Sequence, residues 1–393
     1  MASLHLPSLA ASAALFLLSV LAVALLAVTL YILGVVASFA VFCAREFARR
    51  DRDRPPLVGT VFRQLSGSFS YSIMKDLFGD GIFATDGEKW RQQRKLASHE
   101  FSTKVLREFS SVVFRTNATK LADKISSTAN NGTVIDMQDL LMKTTMDSIF
   151  KVGFGFELNT LSGSDESSIQ FSNAFDEANS LVFHRYVDIF WQLKSKTLSL
   201  WCMQRAREDI LSRFIMQSKT DPKTMNDRYL RDIVLNFLIA GKDTTGNTLT
   251  WFFYMLCKNP IVQHKVELEI NESVEWAEKD NADDFTARLN EGAIENMHYL
   301  HSAISETLRL YPAVPVDGKM ADEDDVLPNG YRAGPHICLG KEFAYRQMKI
   351  MAATLIHFFR FKLADESKDA TYKTMFTLHM DKGLHLHAYP RST

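Results

Sequence analysis

Cysteine is scarce in this 393-residue chain: four residues, Cys43, Cys202, Cys257 and Cys338, lie far apart with no CxxC pair. That spacing argues against a disulfide framework and against a structural zinc site, and it fits a reducing, cytosol-facing environment. Excess charge is missing too. Forty-five Lys and Arg against 46 Asp and Glu give a net charge of −1, which leaves no electrostatic basis for a nucleic-acid partner. No internal repeat or long low-complexity tract interrupts the chain. The sharpest absence is local: from Met1 to Ala44 there is no Asp, Glu, Lys or Arg, and residues 9–43 are almost entirely apolar.

About 20 such residues suffice to span a bilayer, and a cleaved signal peptide has a shorter apolar core behind a basic start. Residues 1–44 are therefore expected to form an uncleaved transmembrane anchor. Arg45, Arg49, Arg50, Arg52 and Arg54, mixed with three acids and followed by Pro55-Pro56, make residues 45–58 a basic collar and proline hinge. The arginine excess places the remainder, residues 59–393, on the cytosolic side. Three sequons, at Asn117, Asn131 and Asn271, are then expected to stay unglycosylated.

The body reads as mainly α with a small β portion. Amphipathic or apolar helical patterns run over Gly87–Ser102, Met137–Phe156, Asn226–Pro260, Glu295–Pro312 and Lys341–Phe359. The Asn226–Pro260 segment is apolar on most faces, so it is expected to pass through the centre of the core. At the C-terminus, "FTLHMDKGLHLHAYP" alternates around Asp381-Lys382-Gly383 and predicts a hairpin. Its His379, His385 and His387 lack a carboxylate or thiol to complete a metal set and are expected to be solvated. The acidic run Asp322–Asp325 reads as an exposed loop.

Four short patterns carry chemistry. Cys338 lies in "AGPHICLGK", flanked by Gly334 and Gly340 and followed by a helix, where backbone can approach a flat cofactor and amide dipoles favour a thiolate. The central helix carries "AGKDTT" (Ala240–Thr245). A glycine and an Asp-Thr pair inside an apolar helix are both unfavourable, which makes sense if the helix loosens there to admit a ligand and supply protons. An Asp that merely bonds backbone is the plain alternative. Gly241 and Gly246 imitate a P-loop, but Asn247 occupies the lysine position and no strand-to-helix turn exists. Glu306 and Arg309 share a helix face and, flanked by Ile304, Leu308 and Leu310, are expected to form an inward structural pair rather than a surface one. Trp90 and Arg94, four apart, suit a carboxylate of a cofactor; a structural tryptophan beside a solvated arginine is the ordinary alternative.

In order, Trp-x-x-x-Arg, Ala-Gly-x-Asp-Thr-Thr, Glu-x-x-Arg and Gly-x-x-x-Cys-x-Gly resemble the cytochrome P-450 superfamily from about Pro55 onward. "DLFGDGIFATDGEKWRQQRKLASHEFS", "AGKDTTGNTLTWFFYMLCKNP" and "LGKEFAYRQMKI" look most like its plant microsomal branch of long-chain fatty-acid omega-hydroxylases. The resemblance implies a cytochrome P-450-like helical fold behind an N-terminal transmembrane anchor. It further implies haem b, held by Cys338 as thiolate ligand, and electrons from NADPH through a separate NADPH-cytochrome reductase. Asp243 and Thr244 match the acid–alcohol pair that relays protons to the reacting dioxygen. Trp90 and Arg94, with His336 at the position of a family arginine and Gly334 and Gly340 beside the thiolate, match the cofactor contacts. Glu306 and Arg309 match the scaffold pair behind the haem. Phe237, Val314, Val316 and Met380 fall where the family lines its substrate pocket. The implied place is the endoplasmic reticulum membrane, single-pass, with the catalytic body facing the cytosol.

The chain also departs from the family. Tyr331 and His336 replace the Phe and Arg of the cysteine loop. Only 25 residues lie between Pro312 and Cys338, too few for the strands, short helix and arginine-bearing meander that belong there. "VLPNGYR" is joined straight to "AGPHICLG", and the stretches near "FRQLSGSFSYS" and Leu198–Gln204 also look shortened. Several sheet strands and the meander are therefore expected to be missing. Two functions stand: a membrane-anchored haem-thiolate monooxygenase hydroxylating a fatty acid, or an internally deleted, haem-poor and non-catalytic variant of one.

Overall fold

The structure is a computed structural model that describes residues 18–34, 37, 68–85, 87–102, 104–129, 132–163, 166–186, 227–275, 281–315, 338–373 and 375–391. The chain divides into two units, Met1–Gln64 and Leu65–Thr393. In the first, residues 18–34 are helical, and Leu21, Leu25 and Tyr31 stand exposed. No helix among the described residues is long and apolar enough to cross a membrane. The expected hinge, residues 45–58, lies outside them.

The second unit is mainly helical. Its helices are α1 (Ser68–Phe78), α2 (Gly87–Ser102), α3 (Lys104–Ala129), α4 (Met137–Phe154), α5 (Glu166–His184), α6 (Asp227–Leu238), α7 (Thr244–Lys258), α8 (Pro260–Ser273), α9 (Ala282–Arg288), α10 (Glu291–Asn296), α11 (His298–Leu310) and α12 (Lys341–Phe358). Short strands β1 (Ile135–Asp136), β2 (Phe359–Leu363), β3 (Tyr372–Lys373), β4 (His379–Met380) and β5 (His385–Pro390) complete it. As its apolar faces dictate, α7 runs through the core. Leu249, Trp251, Phe252 and Phe253 are buried, Trp251 Nε1 donates to the Leu378 carbonyl at 2.8 Å, and its ring stacks on Tyr311 at 4.1 Å. Against this core α12 packs on α3 and α8. A smaller apolar cluster joins α1, α4, α5 and α6 through Ile73, Phe150, Phe175 and Leu238.

Two expected elements differ. The single helix over Glu295–Pro312 is broken at Met297, whose ψ of 75° leaves the helical range. Glu269 on α8 accepts the Tyr299 and Leu300 amides at 2.6 and 2.8 Å, so a carboxylate caps a fresh helix start there. The C-terminal hairpin is also revised. The turn at Asp381-Lys382-Gly383 forms, with Gly383 at φ +74°, but its flanking strands do not pair with each other. β4 pairs with β3, and β5 lies between β1 and β2 in an antiparallel sheet of order β1-β5-β2. The start of α4 fills the gap. Gln138 exchanges two hydrogen bonds with the Met380 backbone. Asp136 accepts the Leu384 amide at 3.1 Å while capping α4. A β-carbon on Gly383 would lie 2.4 Å from Asp136 Oδ2, so this turn requires glycine.

Candidate functional site

The "AGKDTT" stretch loosens as its sequence predicts. Between α6 and α7, Ile239–Asp243 forms a π turn, one residue wider than an α turn. Close approach to α4 accompanies it: a β-carbon on Gly241 would lie 2.6 Å from Ile149 Cδ1, and one on Gly246 would lie 2.5 Å from Met142 Sδ. The Thr145 hydroxyl of α4 reaches the Lys242 carbonyl at 3.0 Å, serving a main-chain acceptor of the turn. Thr244 donates its hydroxyl to Ala240 at 2.5 Å, so its oxygen remains able to accept.

Asp243 is buried beside it. Its Oδ2 accepts from Asn179 Nδ2 at 2.9 Å. Its Oδ1 lies 3.2 Å from Lys242 Nζ, outside hydrogen-bond geometry. Lys242 is also fully buried and pairs with Asp176 of α5. Burial alone would lower its pKa, but Asp243 and Asp176 outweigh that and hold the ammonium above its ordinary range. Burial pushes the Asp176 carboxyl upward, with Lys242 opposing. His379 belongs to the same cluster. It is 9% exposed, and burial lowers its pKa while Asp243 pulls the other way. The expectation of a solvated His379 is thus corrected, because β4 turns inward onto α7; His385 is exposed as expected.

Cys338 is an exposed free thiol, two residues before the Gly340 that precedes α12. That helix is fixed at successive turns: Phe343 meets Phe114 edge-on at 4.8 Å, Arg346 pairs with Glu291, and Lys349 Nζ donates to the Ile294 carbonyl at 2.7 Å. Cys257 differs. Burial pushes its thiol up to about 12. In the haem-free chain a thiol-alkylating reagent at neutral pH is therefore expected to label Cys338 quickly and Cys257 only on unfolding, as peptide mass mapping will show. Rapid labelling of native Cys257 would contradict its placement.

Trp90 and Arg94 do share one face of α2, with the guanidinium carbon 5.5 Å from the indole centroid. The Glu306–Arg309 pair forms, with contacts of 2.8 and 2.7 Å, but not inward. Both side chains are exposed, 54% and 67% respectively. α11 turns this face away from its own buried row, Leu300, Ile304 and Thr307. The pair is therefore corrected to a surface ion pair. Of the expected substrate-pocket residues, Met380 is buried and Phe237 half-buried, whereas Val314 is exposed. Met380 lines a pocket of about 400 Å³ that neither of the other two touches. Gly334, His336, Val316 and the Asp322–Asp325 run lie outside the described residues. Of the sequons, Asn117 is buried and donates to Ser148, Asn271 bonds His357, and Asn131 is outside the described residues.

Sequence reasoning missed Lys242, Asp176 and Asn179. A lysine inside an otherwise apolar helix was the available signal for Lys242. For the α5 pair, three apart in a polar helix, no signal existed.

An exposed thiol at the head of an anchored helix, an acid–alcohol pair on a π-distorted central helix, and an indole–guanidinium face define a class: mainly helical proteins whose donor set fits a planar, metal-bearing, carboxylate-bearing cofactor. The Cytochrome P450 family model matches residues 58–217, 192–332 and 330–387, and the chain belongs to that family, which carries haem iron. It is 40% identical to Cytochrome P450 704C1 of Pinus taeda over 418 positions, covering 83% of this chain and 80% of the relative. Cytochrome P450 704B1 of Arabidopsis thaliana is 36% identical, covering 83% and 82%. A crystal structure of a cytochrome P450 (CYP102L1) superposes with a TM-score of 0.56 at 19% identity, over 82% of this chain and 87% of that one, which supports the fold.

The matches also bear on the shortened stretches. Eighty-three per cent of 393 residues is about 326, so many of the 418 aligned positions in the Pinus comparison have no residue in this chain. The family match comes as three segments that overlap over 192–217 and over 330–332. The first overlap contains the Leu198–Gln204 stretch and the second is the end of "VLPNGYR", where it joins "AGPHICLG". No such overlap falls near "FRQLSGSFSYS".

Proposed function

We propose that the chain is a membrane-anchored monooxygenase that hydroxylates a fatty acid at or near its terminal carbon, with electrons from NADPH through a separate reductase. Cys338 carries this reading: it is an exposed free thiol two residues ahead of the Gly340 that precedes α12. When bound, haem iron ligated by sulfur supplies the activation of dioxygen that is general to P450 enzymes. Cys338 would hold the metal, and the Trp90 N–H and Arg94 guanidinium would be suited to the cofactor's carboxylates. Asp243 and Thr244 stand next to each other at the π turn and are suited to passing a proton, the threonine hydroxyl donating to Ala240 while its oxygen can still accept a hydrogen bond. The charge-free residues 1–44 and the basic collar support anchoring in the endoplasmic reticulum membrane with the body in the cytosol.

A second reading, a haem-poor and non-catalytic variant, is favoured by one observation. Among the described residues Glu306 and Arg309 pair with each other at the surface, where the family's meander arginine completes the group. A reduced carbon-monoxide difference spectrum of carbonate-washed membranes separates the two. A thiolate-type Soret band is expected; washed membranes that hold the chain without haem absorbance select the second reading.

A further inference from the structure

The π turn carries a charge that an acid–alcohol pair does not require. Lys242 is buried without exposure, and an isolated ammonium in such a place would shed its proton. Two carboxylates share it unequally. Asp176 takes a direct hydrogen bond, whereas Asp243 Oδ1 forms an ion pair at 3.2 Å whose angles fall outside hydrogen-bond geometry. Asn179 Oδ1 and His379 Nε2 are likewise buried and unbonded. Buried polar atoms of this kind are normally served by ordered water where a polar pocket adjoins them. One does. Asp176 and His379 both line the 400 Å³ pocket, together with Gln138, Glu177, Lys373 and Asp381.

We infer that Asp176 is a positioning residue for the proton-relay acid: by drawing the Lys242 ammonium toward α5, it keeps Asp243 Oδ1 from being locked and joins that oxygen to the solvent of the pocket. This rests on the hydroxylase reading above. Ionised Asp176 holds Lys242 back. Protonated Asp176 releases it, and the ammonium then closes onto Asp243. The groups facing Asp176 are Lys242 and Asp243 from the π turn, His379 from β4, Glu177 from its own helix, and Lys373 and Asp381 across the pocket. The ammonium stays charged throughout. Asp176 lines the pocket and Asp243 does not, so Asp176 is the carboxylate at which a proton from solvent reaches the cluster.

Two measurements test this on the full chain. The first needs no cofactor: hydrogen-exchange protection of the amides of residues 239–243, corrected for intrinsic rates, across pH. Wild type is expected to show a several-fold step in protection that Asp176→Asn removes and Asp176→Glu retains with a displaced midpoint. The second is the coupling of NADPH consumption to product at matched haem content. There Asp176→Asn loses coupling several-fold at neutral pH, and Asp176→Glu recovers it. Identical protection–pH curves in wild type and Asp176→Asn overturn the inference, as does a step abolished by His379→Gln instead. If Asp176→Asn does not fold, an unmoved midpoint in Asp176→Glu overturns it equally. A chain without haem that still shows the Asp176 step would refute the hydroxylase reading while leaving the positioning contact in place.

Discussion

Replacing Cys338 by serine is expected to remove essentially all thiolate-type absorbance from the reduced carbon-monoxide spectrum, while Cys257→Ser leaves it nearly unchanged. The two cysteines differ physically, not just by position. Cys338 is exposed two residues before the cap of an 18-residue helix, where a cofactor metal can reach its sulfur. Cys257 is held in apolar surroundings that push its thiol up to about 12, so it stays protonated. A serine hydroxyl at residue 338 keeps the size of the side chain but not an accessible anion. Cys43→Ser and Cys202→Ser serve as further controls. A thiolate-type band that survives in Cys338→Ser would remove the metal-ligand assignment altogether.

The largest stability effect is expected from Lys242→Met. Methionine fills the lysine volume but leaves the Asp243 and Asp176 carboxylates facing each other without a cation, and Asp243 is fully buried. Removing one partner of a buried ion pair costs about 3–5 kcal/mol, because the other charge is left uncompensated. The loss should depend on pH with a definite sign. Burial already raises the folded-state pKa of Asp176 above its ordinary value, and losing Lys242 raises it further. A carboxyl raised in this way contributes stability that is full below its ordinary pKa and is lost as pH rises through the folded value. Chemical denaturation of Lys242→Met should therefore show a deficit at neutral pH that shrinks in mild acid. Lys242→Met combined with Asp243→Asn should recover part of it. A deficit unchanged between neutral and mildly acidic pH would mean that the carboxylates are not left facing one another.

Much of the candidate site was legible because its residues are close neighbours along the chain. Asp243 and Thr244 are adjacent, Trp90 and Arg94 are one helical turn apart, and Cys338 stands beside its glycine and its helix. The π turn was legible for the same reason: a glycine and an acid inside an apolar helix advertise a local departure from regular geometry. Glu306 and Arg309 show where that logic stops. Their spacing determines that they pair, but spacing says nothing about which way α11 presents the pair, and its apolar row at Leu300 and Ile304 turned them outward.

The sequence by itself determined the local features: the charge-free first 44 residues, the ends of α2 and α12, the position of the thiol, and the junction where two distant parts of the family pattern meet. Only the tertiary structure decided what surrounds them. Asp176 and Asn179 lie more than 60 positions from Asp243, on a helix with nothing unusual in its pattern. His379 looked like a solvated strand residue until β4 paired with β3 and turned it onto the central helix. The C-terminal turn kept its predicted glycine, yet its strands took other partners, because Gln138 and Asp136 supplied hydrogen bonds that a hairpin partner would have made. Burial and long-range hydrogen bonding depend on which segments meet, and periodicity along one segment carries no information about that.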